Sequence, residues 1–188
     1  MARKLPRFLT PEEISAMFKL AYGNKRDNIM LKSLFYLGIR NAELVNLRVE
    51  DIDIINKLVK IVQGKGKKDR YVPIPSDAFL NELREYIGIK EEGILIQGRS
   101  DKGGKLSDRH LRRIVKAYAK AAGIRKASEI HPHTIRHSYA TFLYNSGSQL
   151  NEIQALLGHK NIETTTIYTH LGIENLRKTA EKAFSGFS

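Results

Sequence analysis

Residues 52–74 read IDIINKLVKIVQGKGKKDRYVPI. Three short segments within it, Ile52–Ile55, Leu58–Val62 and Tyr71–Ile74, are rich in β-branched residues, as strands are. Asn56-Lys57 and Gly64-Lys65-Gly66-Lys67-Lys68-Asp69 are the turns between them. Connections this short join antiparallel neighbours, because a parallel pair needs a long crossover. Outside this stretch the chain reads as helix. Thr10 can cap a helix that has Pro11 at its first position and Glu12 and Glu13 beside its positive end. Apolar spacing predicts further helices over about Asp27–Leu37, Asn41–Leu47, Asp77–Ile87, Ser107–Ala122, Pro132–Asn145, Leu150–Leu157 and Ile173–Phe184. There is no repeat, low-complexity tract or linker. The expectation is a single domain over residues 1–188, mainly α with a small antiparallel β-sheet (α+β).

Composition narrows the chemistry. The 188 residues include no cysteine, which removes a disulfide framework, a thiolate zinc site and a cysteine nucleophile. That absence fits a cytoplasmic address. A 41% hydrophobic and 28% charged chain is globular rather than disordered. No apolar run approaches a membrane span, and the first residues hold no stretch suited to a signal peptide. Lys and Arg exceed Asp and Glu by 12, so the first partner to consider is a polyanion.

The excess is concentrated. Between Arg99 and Lys126 ten basic residues face only Asp101 and Asp108. Lys60, Lys65, Lys67, Lys68 and Arg70 surround the glycine-containing turn, and Arg3, Lys4 and Arg7 open the chain. The 107–122 helix is the most informative. Leu111, Ile114, Val115, Tyr118, Ala119 and Ala122 share one face, while Arg109, Arg112, Arg113, Lys116 and Lys120 share the other. No acid is expected to pair with that basic side, so its charges repel unless an anion neutralises them. Such a helix fits the major groove of double-stranded DNA, where arginine reaches phosphate or guanine.

Candidate chemistry comes from scattered residues. His133 and His137 at i,i+4 could begin a metal site, but no third ligand is evident and Arg136 lies between them. His133 and Arg136 at i,i+3 would instead set a proton-transfer group and a fixed cation at one point, as a phosphodiester transition state requires. Arg40 sits at the start of a helix with Glu43 one turn on. Lys65 occupies the tip of a turn where an ammonium can approach a ligand. Tyr168 is a candidate nucleophile near His159 and His170.

In this order and spacing these elements resemble the catalytic domain of the tyrosine recombinases, or phage-integrase family, and within it the Xer type. The matching text is LGIRNAEL (37–44), GKGKKDRYVP (64–73), PHTIRH (132–137), LLGH (156–159) and TTTIYTH (164–170). His159 follows Arg136 by 23 residues and Tyr168 follows His159 by 9, as in the family pattern. The resemblance implies site-specific DNA cleavage and rejoining through a 3′-phosphotyrosyl link formed by Tyr168. Arg40 and Arg136 would hold the phosphate oxygens and His133 would assist proton transfer at the tyrosine. Lys65 would protonate the leaving 5′-oxygen, His159 would hydrogen-bond the phosphate, and Glu43 would support Arg40. On the charge pattern, Arg109, Arg112, Arg113, Lys116, Lys67, Lys68 and Arg70 would contact DNA. No metal or other cofactor is implied, because the covalent bond conserves the energy for rejoining.

The resemblance also implies a homotetramer on DNA. In the family a C-terminal helix docks on a neighbouring protomer, and the stripe Ile173, Leu176, Ala180, Ala183, Phe184 suits that role. Packing within the same chain is the alternative. On the docking reading, residues 172–188 are dispensable for the fold. Family members usually carry a separate N-terminal DNA-clamping domain, and the resemblance, which runs from about Phe8 to Phe184, covers only the catalytic domain, so weak and unselective DNA binding by these 188 residues alone is expected. Two rival readings share these features: a non-catalytic DNA-binding module, and a type IB topoisomerase-like enzyme.

Overall fold

A computed structural model describes residues 7–62, 69–98, 104–158 and 170–187. Its order is α1 (Pro11–Ala21), α2 (Lys25–Tyr36), α3 (Asn41–Asn46), β1 (Ile52–Asp53), β2 (Leu58–Ile61), β3 (Arg70–Pro73), α4 (Asp77–Ile87), α5 (Asp108–Ala121), α6 (Pro132–Asn145), α7 (Leu150–Leu157) and α8 (His170–Phe184). Helix starts follow local chemistry. Thr10 accepts from the Glu13 amide, and the Glu13 carboxylate accepts from the Thr10 amide. Ser76 and Ser107 cap α4 and α5 by accepting from the Phe79 and His110 amides, and Pro132 opens α6.

The three strands form one antiparallel sheet in the order β1-β2-β3. Lys60 lies opposite Tyr71, and Ile61 opposite Arg70. Lys60 also pairs with Asp69 at the base of the hairpin, 3.4 Å away. The core lies around α2, whose Ile29, Met30, Leu31, Leu34 and Phe35 are fully buried. Helices α1, α4 and α6 pack against it.

Helix α8 belongs to this core. Leu176, Ala180 and Phe184 are buried, and the Phe184 ring meets Phe35 at 5.1 Å and stacks on Tyr139 at 5.3 Å. The apolar stripe is therefore covered by its own chain. This corrects the expectation that residues 172–188 are dispensable for the fold: removing them would uncover Phe35, Tyr36 and Tyr139. At the other end, the Arg7 guanidinium donates to the Arg125 and Lys126 carbonyls, tying the basic arm to the turn after α5. Arg3 and Lys4 lie outside the described residues. Among those residues no helix is long and apolar enough to cross a membrane.

Candidate active site

The site is assembled at the C-terminal end of α7. The last carbonyls of a helix lack intrahelical partners and carry its partial negative charge. Here three consecutive ones are taken by three different arginines. Arg70 Nε donates to the Leu156 oxygen at 3.3 Å, Arg136 Nη2 to the Leu157 oxygen at 2.6 Å, and Arg40 Nη2 to the Gly158 oxygen at 3.2 Å. Arg136 Nη1 reaches across to the Gly38 oxygen at 2.5 Å. Gly38 allows this because its backbone is left-handed at φ 56° and its α-carbon lies against the Tyr139 ring.

Glu43 completes the arrangement. Its carboxylate accepts from the Arg40 amide at 2.7 Å, closing the start of α3, and from Arg40 Nη1 at 2.9 Å. It also takes both terminal nitrogens of Arg70, at 2.8 and 2.9 Å. Burial would raise the Glu43 pKa, but the bonds and charge from Arg70, with those from Arg40, outweigh it and hold the carboxyl at about 2. Burial, then the nearby Arg40 charge, lowers Arg136 to about 10, so it stays cationic at neutral pH. On α6 the His133 imidazole is pushed below its ordinary value by burial and by Arg136 and Arg112. It is the neutral, proton-accepting form that this favours.

Of the residues expected in the site, the structure brings Arg40, Glu43 and Arg136 together, with His133 on the same helix as Arg136. Lys65, Lys67, Lys68, His159 and Tyr168 lie outside the described residues. Arg109, Arg112, Arg113 and Lys116 are exposed along α5 as expected. One detail differs. Asp108 pairs with Arg112 at 2.9 Å, so the basic face is not free of acid: the first-turn aspartate falls four residues before the arginine. The same aspartate accepts from Asn41 at 2.8 Å, which joins the start of α5 to the start of α3. Among the described residues no three His, Cys, Asp or Glu side chains converge as a metal set.

Arg70 is the main correction. Its charge groups it with the surface lysines as a DNA contact, but its side chain is 1% exposed. Ile61, directly across the sheet, and Val72, two residues on, are also buried, so Arg70 is on the inward face. The strand alternation held that signal. The carbonyl anchors were beyond reach, since backbone acceptors leave no mark in residue type.

The sequence pattern of the Phage integrase family matches residues 7–174. The chain belongs to that family. Within it, the chain is 40% identical over 185 residues to the tyrosine recombinase XerA of Thermococcus kodakarensis, covering 96% of this chain and 64% of that protein. It is 41% identical over 172 residues to a tyrosine recombinase of Pseudothermotoga lettingae, covering 90% and 58%. The chain thus spans less than two thirds of the length of these phage-integrase relatives. The crystal structure of XerA recombinase superposes with a TM-score of 0.76 at 28% identity, over 98% of this chain and 66% of that one. XerH recombinase bound to its difH substrate superposes at 0.66 and 28% identity, over 96% and 55%. These matches place the mostly helical fold with its three-stranded sheet among tyrosine recombinase catalytic domains.

Proposed function

We propose that this chain is the catalytic part of a site-specific recombinase that cleaves and rejoins double-stranded DNA through Tyr168. The observation that carries the reading is the fixing of Arg40 and Arg136 on adjacent carbonyls of one helix end, at the two residues before His159. Two guanidiniums held there by backbone can bind the non-bridging oxygens of a single phosphodiester. In the reaction the Tyr168 hydroxyl oxygen bonds to phosphorus as the bond to the 5′-oxygen breaks. The phenolic proton passes to His133, and Lys65 gives a proton to the leaving 5′-oxygen. The exposed arginines and Lys116 on α5 supply phosphate contacts along the duplex, and the Asn41–Asp108 bond sets their register to Arg40. Assembly into a tetramer through α8 would require that helix to leave Tyr139 and Phe35.

The test is capture of a covalent protein–DNA adduct from a library of nicked duplexes with randomised sequence. The unmodified chain should yield a denaturant-resistant adduct. Tyr168→Phe and Arg136→Ala should yield none. Equal behaviour of the unmodified and Tyr168→Phe chains would instead establish a non-catalytic DNA-binding module.

A further inference from the structure

We infer that Arg70 is a positioning residue, which sets the phosphate-binding Arg40 by locking Glu43 against the end of α7. The inference rests on the recombinase reading above and deepens it.

A buried guanidinium is costly unless its donors are satisfied. Each of the three Arg70 nitrogens has a partner within the protein: both terminal nitrogens donate to Glu43 and Nε donates to the Leu156 carbonyl. It therefore offers little to a bound phosphate, while Arg40, with its side chain 38% exposed, remains accessible. The connection to Arg40 is direct. One Glu43 oxygen accepts from both Arg70 Nη1 and Arg40 Nη1, and the other accepts from Arg70 Nη2 and the Arg40 amide. A carboxylate clamped on one side by a planar fork presents its remaining lone pairs in one orientation.

The helix end supplies a second, independent observation. Gly158 has φ 67°, and a Cβ built there would lie 2.9 Å from Arg70 Cδ and Nε. The guanidinium is packed directly against the residue whose carbonyl holds Arg40. Arg70 thus touches both anchors of Arg40, the Glu43 carboxylate and the Gly158 backbone. It also belongs to β3, so one side chain joins the β2–β3 pair to the arginine pair.

A purely structural Arg70 would stabilise the fold and leave chemistry alone, so the test separates the two. Adduct formation is followed in single turnover on a nicked duplex captured by the unmodified chain, beside the affinity for that duplex and the thermal midpoint. Arg70→Lys keeps the charge but cannot fill three planar sites at once. It should slow adduct formation by about a hundredfold, the scale of a misplacement of roughly 1 Å, with affinity unchanged.

A pH profile gives the second readout. The charges facing Glu43 are Arg40 from the residue before α3, Arg70 from β3 and Arg136 from α6. Without Arg70, burial of Glu43 is offset less and its pKa rises, so the carboxylate is lost as pH falls through that higher value. Arg70→Met should therefore gain an acid limb in the cleavage rate that Arg70→Met/Glu43→Gln lacks. Wild-type cleavage by Arg70→Lys would overturn the inference, as would an Arg70→Met profile of unchanged shape. Loss of fold in both variants would also overturn it and leave Arg70 a structural residue. Failure of the unmodified chain to form any adduct would refute the recombinase reading, and this inference with it.

Discussion

Replacing Gly38 by alanine should lower the thermal midpoint by roughly 4–20 °C. Two costs combine. The residue has φ 56°, a left-handed conformation that costs an L-residue about 1–2 kcal/mol. The new Cβ would also stand 2.4 Å from Tyr139 Cδ1 and 2.6 Å from Cε1. The Tyr139 ring cannot retreat, because it is fully buried and stacked on Phe184. Overpacking of this kind costs about 1–3 kcal/mol. The total of about 2–5 kcal/mol converts at roughly 2–4 °C per kcal/mol for a domain of this size. Circular-dichroism melts of Gly38→Ala, Tyr139→Leu and the double variant provide the measurement. Leucine vacates the ring's space, so the double variant should lose less than the two single losses together. Strict additivity, or a drop of less than about 2 °C for Gly38→Ala, would refute the steric reasoning. Cleavage should fall as well, since the Gly38 carbonyl anchors Arg136.

Two further outcomes are expected. The Tyr139 hydroxyl is buried and has no hydrogen-bond partner among the described residues, and burial raises its pKa. Tyr139→Phe should therefore leave stability unchanged or raise it by about 1 kcal/mol in denaturant titration, and a loss of about 2 kcal/mol or more would reveal a partner. Arg113→Ala should weaken DNA binding and reduce the slope of log affinity against log salt by about 1, the value of one phosphate contact. Unchanged affinity at every salt concentration would remove α5 from the DNA interface.

Much of the scaffold was legible because its signals are local. Ser76 and Pro132 mark the starts of α4 and α6, and Gly158 marks the end of α7, so all three helices run as expected. Strand β1 is shorter than the apolar run 52–55 suggested, since Ile54 and Ile55 enter the turn. Arg70 was misread because clustering by charge treats lysine and arginine alike and ignores which face of a strand a residue occupies. The pairing of Ile61 with Arg70 shows the face directly. The arginine anchors could not be read, since they join side chains to backbone atoms as many as 118 residues away. Helix α8 marks another boundary of pattern reasoning. An amphipathic stripe says that a face is covered, and only the contacts of Phe184 say by what.

The end of α7 also sets the charge of the site. Arg40, Arg70 and Arg136 bring three positive charges to it, and Glu43 returns one negative charge, which leaves two. A phosphodiester at rest carries one negative charge. Attack by a deprotonated phenol raises this to two in the pentacoordinate state. On the proposed reaction the fixed arginines meet a charge that grows on the phosphate in the transition state, which is the condition under which binding becomes rate acceleration.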